Sequence, residues 1–207
     1  MNRLFAAVFA AFLMLPVLAL AQQQGKYAYT ELKPQQPTES GGKIEVIEFF
    51  WYGCPHCYNL EPFIETWQKK LPADVQFRRV PAILADGWER DAAIFYTLEA
   101  MNLLDKLHRP LFDAIHRDGL RTGSQQALAE WLKKQGVDEK RFFDTMKSMG
   151  VDAKMRRAAQ TTLAYRVNGT PAMAVQGRYT VSADQGRSQQ GMLETVDYLV
   201  GIARKQK

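Results

Sequence analysis

Both cysteines of the chain lie in one short motif, Cys54-Pro55-His56-Cys57. A helical pattern begins within this motif, and two cysteines three residues apart on a helix can reach disulfide geometry. A thiol at a helix N-terminus faces unpaired backbone N–H groups and the positive end of the helix dipole, which lower its pKa. We therefore predict that Cys54 is the attacking thiol. Cys57, one turn further along, is expected to be more buried and to resolve mixed disulfides.

Two other roles for the cysteine pair stay open. A zinc site requires about four ligands, and the histidines besides His56 are only His108 and His116, both in a helical stretch. A purely structural disulfide would close a loop of a few residues, which restricts the unfolded chain too little to stabilise the fold much. We favour a redox-active pair over both alternatives. We expect no bound metal and no cofactor other than this disulfide.

The N-terminus has the pattern of a secretory signal peptide. A basic start at Arg3 precedes an almost purely apolar run over residues 4–20, and the small residues Ala19 and Ala21 stand before a polar stretch. This order predicts removal of residues 1–21 by cleavage after Ala21. The alternative is an uncleaved membrane anchor, against which Pro16 near the cleavage site argues. Export would place the cysteines in a compartment where disulfides persist.

The overall composition is that of a globular protein. Of the 207 residues, 46% are hydrophobic and 24% are charged, and the net charge is +5. A chain of this length and composition can form one ordinary domain with its own hydrophobic core. The basic residues occur as isolated pairs, such as Arg78-Arg79, Lys133-Lys134 and Arg156-Arg157. We interpret most of these pairs as solvated helix or strand faces and expect no nucleic-acid partner, because nucleic-acid binding usually concentrates positive charge on one element.

The elements that must position the cysteines are a strand before them and a helix after them. Residues 43–50 are rich in β-branched and aromatic side chains and predict a buried strand, and residues 54–70 have the apolar spacing of a helix. Residues 75–80 predict a second strand that ends at Pro81. This order favours a parallel crossover.

Residues 86–166 have helical periodicity throughout. Within this block Ser124 is a predicted N-cap, Gly150 is expected to end one helix, and Asp152 is expected to cap the next. The methionine and aromatic stripes of the block are interpreted as core. Short strands are predicted over residues 172–176 and 178–181, before a last helix over residues 188–204.

The order of elements predicts an α/β fold, a mixed central sheet flanked by helices with an inserted all-helical subdomain. We divide the chain into the signal peptide (1–21), the first part of the sheet domain (22–85), the helical insertion (86–166) and the second part of the sheet domain (167–207).

Three stretches together resemble the DsbA family of periplasmic disulfide donors. They are Glu48-Phe49-Phe50, the cysteine motif followed by Tyr58, and Gly169-Thr170-Pro171 after the helical block. The resemblance covers essentially the whole chain after the predicted signal peptide. It implies a thioredoxin fold with an inserted helical domain, a periplasmic location, and reoxidation by a DsbB-like membrane quinone oxidoreductase.

The resemblance also implies roles for residues outside the cysteines. His56 is expected to stabilise the Cys54 thiolate, and Pro171 is expected to be cis and to pack against the disulfide. The Thr170 backbone would then be free to pair with an extended substrate peptide. Thr170 departs from the valine of the best-known family member and matches the threonine that disulfide isomerases of the family often carry.

Glu48 lies in the apolar strand before the motif, and the resemblance makes it a buried carboxylate beneath the cysteines that assists proton transfer. Glu61 is a candidate second member of this site. The alternative for both is an ordinary edge or surface carboxylate.

We predict a monomeric dithiol oxidase that oxidises the reduced cysteines of unfolded exported proteins. One alternative is a periplasmic disulfide reductase or isomerase, which Thr170 favours slightly. The other is a peptide-binding chaperone that uses the fold without its redox chemistry.

Overall fold

We describe a computed structural model of the chain over residues 25–206. The predicted signal peptide and its cleavage site lie outside these described residues. Between residues 25 and 206 no helix combines the length and the apolar character that crossing a membrane requires.

A five-stranded mixed sheet forms the centre of the fold, as predicted. Its strand order is β1-β5-β4-β2-β3, and β2 is parallel to β3 but antiparallel to β4. The bounds of the strands are β1 Thr30–Glu31, β2 Ile44–Phe50, β3 Val75–Pro81, β4 Ala172–Val175 and β5 Tyr179–Ser182.

Helices cover both faces of this sheet. All seven residues of β2 are buried. This explains why every residue of the strand except two glutamates is apolar. The bounds of the helices are α1 Pro55–Gln68, α2 Trp88–Ala100, α3 Leu104–His116, α4 Gln125–Lys134, α5 Glu139–Met146, α6 Met149–Ala164, α7 Ala183–Gly186 and α8 Gln189–Lys205.

Two hydrophobic clusters hold these layers together. One joins α1 and α8 to the sheet, with Val46, Ile64 and Val196 among its buried members. The other joins the sheet to the helices α2–α6, and Phe50 and Phe112 belong to it. The helices between β3 and β4 therefore share a core with the sheet, and their division into a separate inserted subdomain stays a prediction.

Two predicted boundaries in the helical block are wrong. Gly150 does not end a helix, because it is the second residue of α6. Ser148, not Asp152, is the N-cap, since its Oγ accepts a hydrogen bond from the N–H of Val151, and Asp152 lies in the first turn, where a carboxylate suits the helix dipole. Met149 was expected in the core but is 87% exposed, because it starts α6 on the solvent side.

Candidate active site

The cysteine motif lies at the junction of β2 and α1. The turn over residues 51–53 follows β2, and Cys54 is the N-cap of α1, with φ −84° and ψ 115°. Pro55 is the first helical residue, where its missing N–H costs no hydrogen bond. The helix thus begins one residue later than predicted. The Sγ of Cys54 accepts a hydrogen bond from the N–H of Cys57 at 3.3 Å.

The two thiols have opposite acidities. The pKa of Cys54 is lowered to about 5, chiefly by a hydrogen bond from the Cys57 thiol, although partial burial opposes this shift. Further hydrogen bonds from the Thr170 side chain and from the backbone N–H groups of Cys57 and His56 also lower it. Burial raises the pKa of Cys57 well above its usual value. In the reduced state described here, Cys54 is therefore a thiolate at neutral pH and Cys57 is a thiol.

Both cysteines are largely shielded from solvent. Cys54 retains 5% of its surface and Cys57 retains none. This small difference agrees with the expected order, in which Cys54 is the cysteine that a partner can reach.

The Thr170–Pro171 segment lies against Cys54, as the sequence resemblance implied. The peptide bond between these residues is cis, and the Cys54 thiol is 3.3 Å from the carbonyl oxygen of Thr170. An open cleft of about 550 Å³ runs beside them, between the motif and the start of α8. His56 and Met192 line this cleft together with Pro171.

His56 contributes to the site through its backbone. Its backbone N–H is one of the donors that lower the pKa of Cys54. Its imidazole is exposed and lines the cleft. The role of the imidazole itself stays a proposal.

A buried charge cluster lies between the sheet and the helices α1 and α3, within electrostatic reach of the cysteines. Glu48 is fully buried, and its Oε2 is 3.0 Å from Nε of Arg79. The other arm of the Arg79 guanidinium is 3.1 Å from Glu61, and Glu61 in turn is 3.3 Å from Nε2 of His108. Glu48 and Glu61 are thus members of one cluster rather than edge or surface carboxylates.

Burial raises the pKa of Glu48 to about 8, even though the positive charge of Arg79 opposes the shift. In its ionised form Glu48 contributes to the raised pKa of Cys57, after burial and Cys54. Around neutral pH Glu48 therefore holds a proton, and it interacts with the buried cysteine. This is the behaviour of an acid that can exchange a proton near pH 7.

Sequence reasoning missed Arg79 and His108. The Arg78-Arg79 pair was interpreted as a solvated face, but the side chain of Arg79 is only 17% exposed. The register of the parallel pair places Arg79 directly beside Glu48. A parallel alignment of the two predicted strands, residues 43–50 and 75–80, that places opposite charges side by side could have indicated the pair of Glu48 and Arg79. In the described part of the chain, no group of three or more His, Cys, Asp or Glu side chains is arranged to hold a metal ion.

Known proteins with the same fold and similar sequence carry out thiol chemistry. A family model described as "DSBA-like thioredoxin domain" matches residues 73–194. The chain is 42% identical to the thiol:disulfide interchange protein DsbA of Azotobacter vinelandii, over 83% of this chain and 80% of the relative. It is 37% identical to the protein of the same name from Pseudomonas aeruginosa, over 92% of each.

Solved structures give the same result. The crystal structure of Pseudomonas aeruginosa DsbA superposes with a TM-score of 0.82 at 38% identity, covering 87% of this chain and 94% of that one. NmDsbA1 from Neisseria meningitidis superposes with a TM-score of 0.74 at 28% identity, covering 87% and 93%.

Proposed function

The chain belongs to the DsbA family of thiol:disulfide oxidoreductases, and we propose that it donates the Cys54–Cys57 disulfide to reduced cysteine pairs of exported proteins. The observation that carries this proposal is the contrast in acidity between the two thiols. The pKa of Cys54 is lowered to about 5, by the Cys57 thiol first and then by Thr170 and backbone donors. A stabilised thiolate favours the reduced enzyme, and this makes the oxidised enzyme a strong electron acceptor.

The exchange proceeds in two displacements. A substrate thiolate attacks Sγ of Cys54, the Cys54–Cys57 bond breaks, and the sulfur of Cys57 leaves with the bonding electrons and takes up a proton. A second substrate thiolate then attacks the substrate sulfur of the mixed disulfide, and Cys54 leaves as a thiolate. Two electrons pass from the substrate dithiol to the enzyme, and the substrate gains the disulfide.

Glu48 is the proton source for Cys57 in this scheme. Its pKa is raised to about 8 by burial, so it is protonated at pH 7 and can donate as the charge develops on the departing sulfur. In the reverse reaction it accepts the proton of the Cys57 thiol.

The substrate peptide binds beside Cys54 in extended form. The Thr170 backbone pairs with it, and Pro171 with the adjoining cleft receives its neighbouring side chains. Main-chain hydrogen bonds do not depend on the side chains of the substrate, so this mode of binding suits an enzyme that acts on many unfolded proteins.

Export and reoxidation complete the proposal. Cleavage after Ala21 releases a monomeric protein into the periplasm, and mass spectrometry of the exported material tests the site. A DsbB-like membrane quinone oxidoreductase restores the Cys54–Cys57 disulfide. Incubation of the reduced protein with membranes that contain or lack such an enzyme tests this step.

The decisive experiment is oxidative refolding. A reduced, unfolded protein with several cysteines is mixed with the oxidised protein as the only oxidant, and we expect native disulfides to form stoichiometrically. The Cys54→Ser variant should be inactive. A peptide-binding chaperone would instead assist refolding without forming disulfides, and Cys54→Ser would then assist refolding as well as the unaltered protein does.

A redox equilibrium with glutathione separates an oxidase from a reductase or isomerase. We expect the protein to remain reduced at glutathione ratios that oxidise a structural disulfide. An equilibrium as reducing as that of a structural disulfide would contradict the oxidase proposal.

A further inference from the structure

His108 joins the buried charge cluster from a helix that the exchange mechanism has not used. It lies on α3, 7% exposed, with the aromatic rings of Phe50, Phe95 and Phe112 around it. Its Nε2 is 3.3 Å from Oε1 of Glu61, and its Nδ1 is 2.8 Å from the hydroxyl of Tyr52. A polar side chain held this tightly among apolar rings needs both partners.

The two contacts fix the hydrogen positions. The pKa of Glu61 lies below its usual value, although burial opposes this, with His108 and Arg79 favouring the ionised form, and Arg79 contacts it at 3.1 Å. An ionised Glu61 can only accept, so Nε2 of His108 carries the hydrogen and donates it. Nδ1 is then the acceptor, and the buried Tyr52 hydroxyl donates to it. Both contacts are satisfied by a neutral imidazole. Burial also lowers the pKa of His108, so the imidazole stays neutral at pH 7.

Arg79 shares its positive charge between two carboxylates, Glu48 and Glu61. Only one of them can be ionised without leaving a surplus negative charge in the core. Glu61 receives donors from both His108 and Arg79. Oε1 of Glu48 has no hydrogen-bond partner among the described residues. The geometry therefore keeps Glu61 ionised and leaves the proton to Glu48.

We propose that His108 is a positioning residue for the exchange reaction: by donating to Glu61, it keeps the proton of the carboxylate pair on Glu48, beside Cys57. Without this donor, Glu61 competes for the proton. Arg79 then compensates Glu48 alone, and Glu48 ionises at lower pH. This inference rests on the proposed role of Glu48 as the acid that protonates Cys57.

Other charged groups reach His108 from the surrounding elements. Glu65 of α1 acts on it in addition to Glu61, and Arg79 acts from β3. A charged cavity of about 860 Å³ adjoins this side of His108, and its other charged residues are Glu39, Lys69, Arg78, Glu99, Asp105, Arg109, Lys154 and Arg157. Glu61, Arg79 and His108 line this cavity as well, so protons from solvent can reach the cluster through it.

The test compares three variants and a control variant by carbon-13 NMR of the glutamate carboxyl groups and by the rate of enzyme reduction with a dithiol peptide. His108→Leu removes the donor to Glu61, whereas His108→Gln retains an amide N–H that can reach it. Glu61→Gln removes the competing charge without altering His108. His116→Leu is the matched control, because His116 lies two turns further along α3 and binds the Tyr52 carbonyl at 2.8 Å instead of a carboxylate.

We expect the titration midpoint of Glu48 to fall by one unit or more in His108→Leu and Glu61→Gln. At pH 7 the reduction rate should fall about twofold for a shift of one unit and about tenfold for two. His108→Gln and His116→Leu should keep the midpoint of the parent protein. If His108→Leu does not fold, Glu61→Gln and His108→Gln still decide the question.

An unchanged Glu48 midpoint in His108→Leu, or in Glu61→Gln if His108→Leu does not fold, would overturn the proposal. A shifted midpoint with an unchanged rate would overturn it as well, because Glu48 would not then be the acid. Neither result would contradict the proposed oxidase function. That proposal is contradicted only if the unaltered protein does not form disulfides in the refolding assay.

Discussion

The backbone N–H of Cys57 donates a hydrogen bond to Sγ of Cys54 over 3.3 Å, so the reactive cysteine is also the N-cap of the helix α1. A thiolate at this position accepts the N–H groups that the first turn leaves without partners. In the disulfide the same sulfur is neutral and loses most of this stabilisation. The redox state of the pair is thereby coupled to the stability of the helix start.

Alkylation of the reduced protein should label Cys54 first. Its lowered pKa of about 5, which the Cys57 thiol and Thr170 help to maintain, keeps it a thiolate at neutral pH, whereas Cys57 is buried and stays protonated. The labelling rate should rise with pH around a midpoint near 5, as measured by peptide mapping after brief treatment with iodoacetamide. In Cys54→Ser, Cys57 should stay almost unlabelled until the protein is unfolded. Preferential labelling of Cys57 in the parent protein would reverse the assignment.

The reduced protein should be more stable than the oxidised protein at pH 7. Folding lowers the pKa of Cys54 from 9.0 to about 5, mainly through the hydrogen bond from Cys57. A lowered pKa stabilises the folded reduced form fully above the unfolded thiol pKa, and this stabilisation is lost as the pH falls through 5. Each kcal/mol corresponds to about 2–4 °C in Tm for a chain of this size.

Paired thermal melts of the two redox forms at pH 4, 5.5 and 7 measure this effect. The excess Tm of the reduced form should grow with pH over this range and be smallest at pH 4. In Cys54→Ala, which has neither the thiolate nor the disulfide, the part of the stability that the thiolate adds between pH 4 and 7 should be absent. A higher Tm for the oxidised form at pH 7 would contradict the strong-oxidant proposal and favour a reductase.

Thr170→Val should raise the pKa of Cys54 and weaken the oxidant. The Thr170 side chain is one of the donors that lower this pKa, and valine has the same shape without the hydroxyl. Thr170→Ser should restore the hydrogen bond. His56→Ala should also raise the Cys54 pKa but by less than Thr170→Val does, because the backbone N–H of residue 56 remains. Ultraviolet titration of the thiolate measures each change, and an equal pKa in Thr170→Val and the parent protein would show that the Thr170 hydroxyl does not act on Cys54.

The sequence predicted those parts of the site that local patterns control. A cysteine motif between a predicted strand and a predicted helix is compatible with few folds. The Ser124 cap is a hydrogen bond between residues close in sequence, and the structure confirms it. Arg79 and His108 could not be placed in this way. Their roles depend on strand register and on a contact between α3 and α1, and a basic residue or a histidine looks the same in sequence whether its charge is solvated or buried.

The wrong boundary at Gly150 has a related cause. Glycine stops a helix only where the backbone turns left-handed after the last turn, and it is tolerated within the first turn. Asp152 was the predicted cap, but Ser148 stands four residues earlier and is also a residue type that caps helices. Packing of Val151 and Ala158 into the core selects the earlier start.

Glu48→Gln should slow the reaction and stabilise the fold. Glutamine cannot supply the proton to Cys57, and we expect the rate of enzyme reduction at pH 7 to fall roughly tenfold or more. Burial raises the pKa of Glu48 from 4.5 to about 8, so its contribution to stability is complete below 4.5 and is lost as the pH rises towards 8. The variant should therefore gain stability relative to the parent at pH 8 and little at pH 4. Urea unfolding at both pH values measures the difference, and equal stabilities at pH 8 would mean that Glu48 is not a protonated group in the core.

Gly53→Ala tests whether the turn before Cys54 has room for any side chain. A Cβ at this position would lie 2.3 Å from the ring of Trp51, which stacks on Trp88 with centroids 4.2 Å apart and planes 7° from parallel. The indole must move and the stack must open, at a cost of about 1–3 kcal/mol in the free energy of unfolding. Because the turn carries the backbone into Cys54, the pKa of that thiol should change as well.

Gly87→Ala is the matched control for this variant. Gly87 directly precedes Trp88, has φ −67°, and has open space where a Cβ would stand. Its replacement should alter the unfolding free energy by no more than about 0.5 kcal/mol and leave tryptophan fluorescence unchanged. In Gly53→Ala the fluorescence should shift, since Trp51 leaves its partner. Equal effects of the two substitutions would mean that the Trp51–Trp88 stack does not constrain the turn, and that the geometry of Cys54 depends on α1 alone.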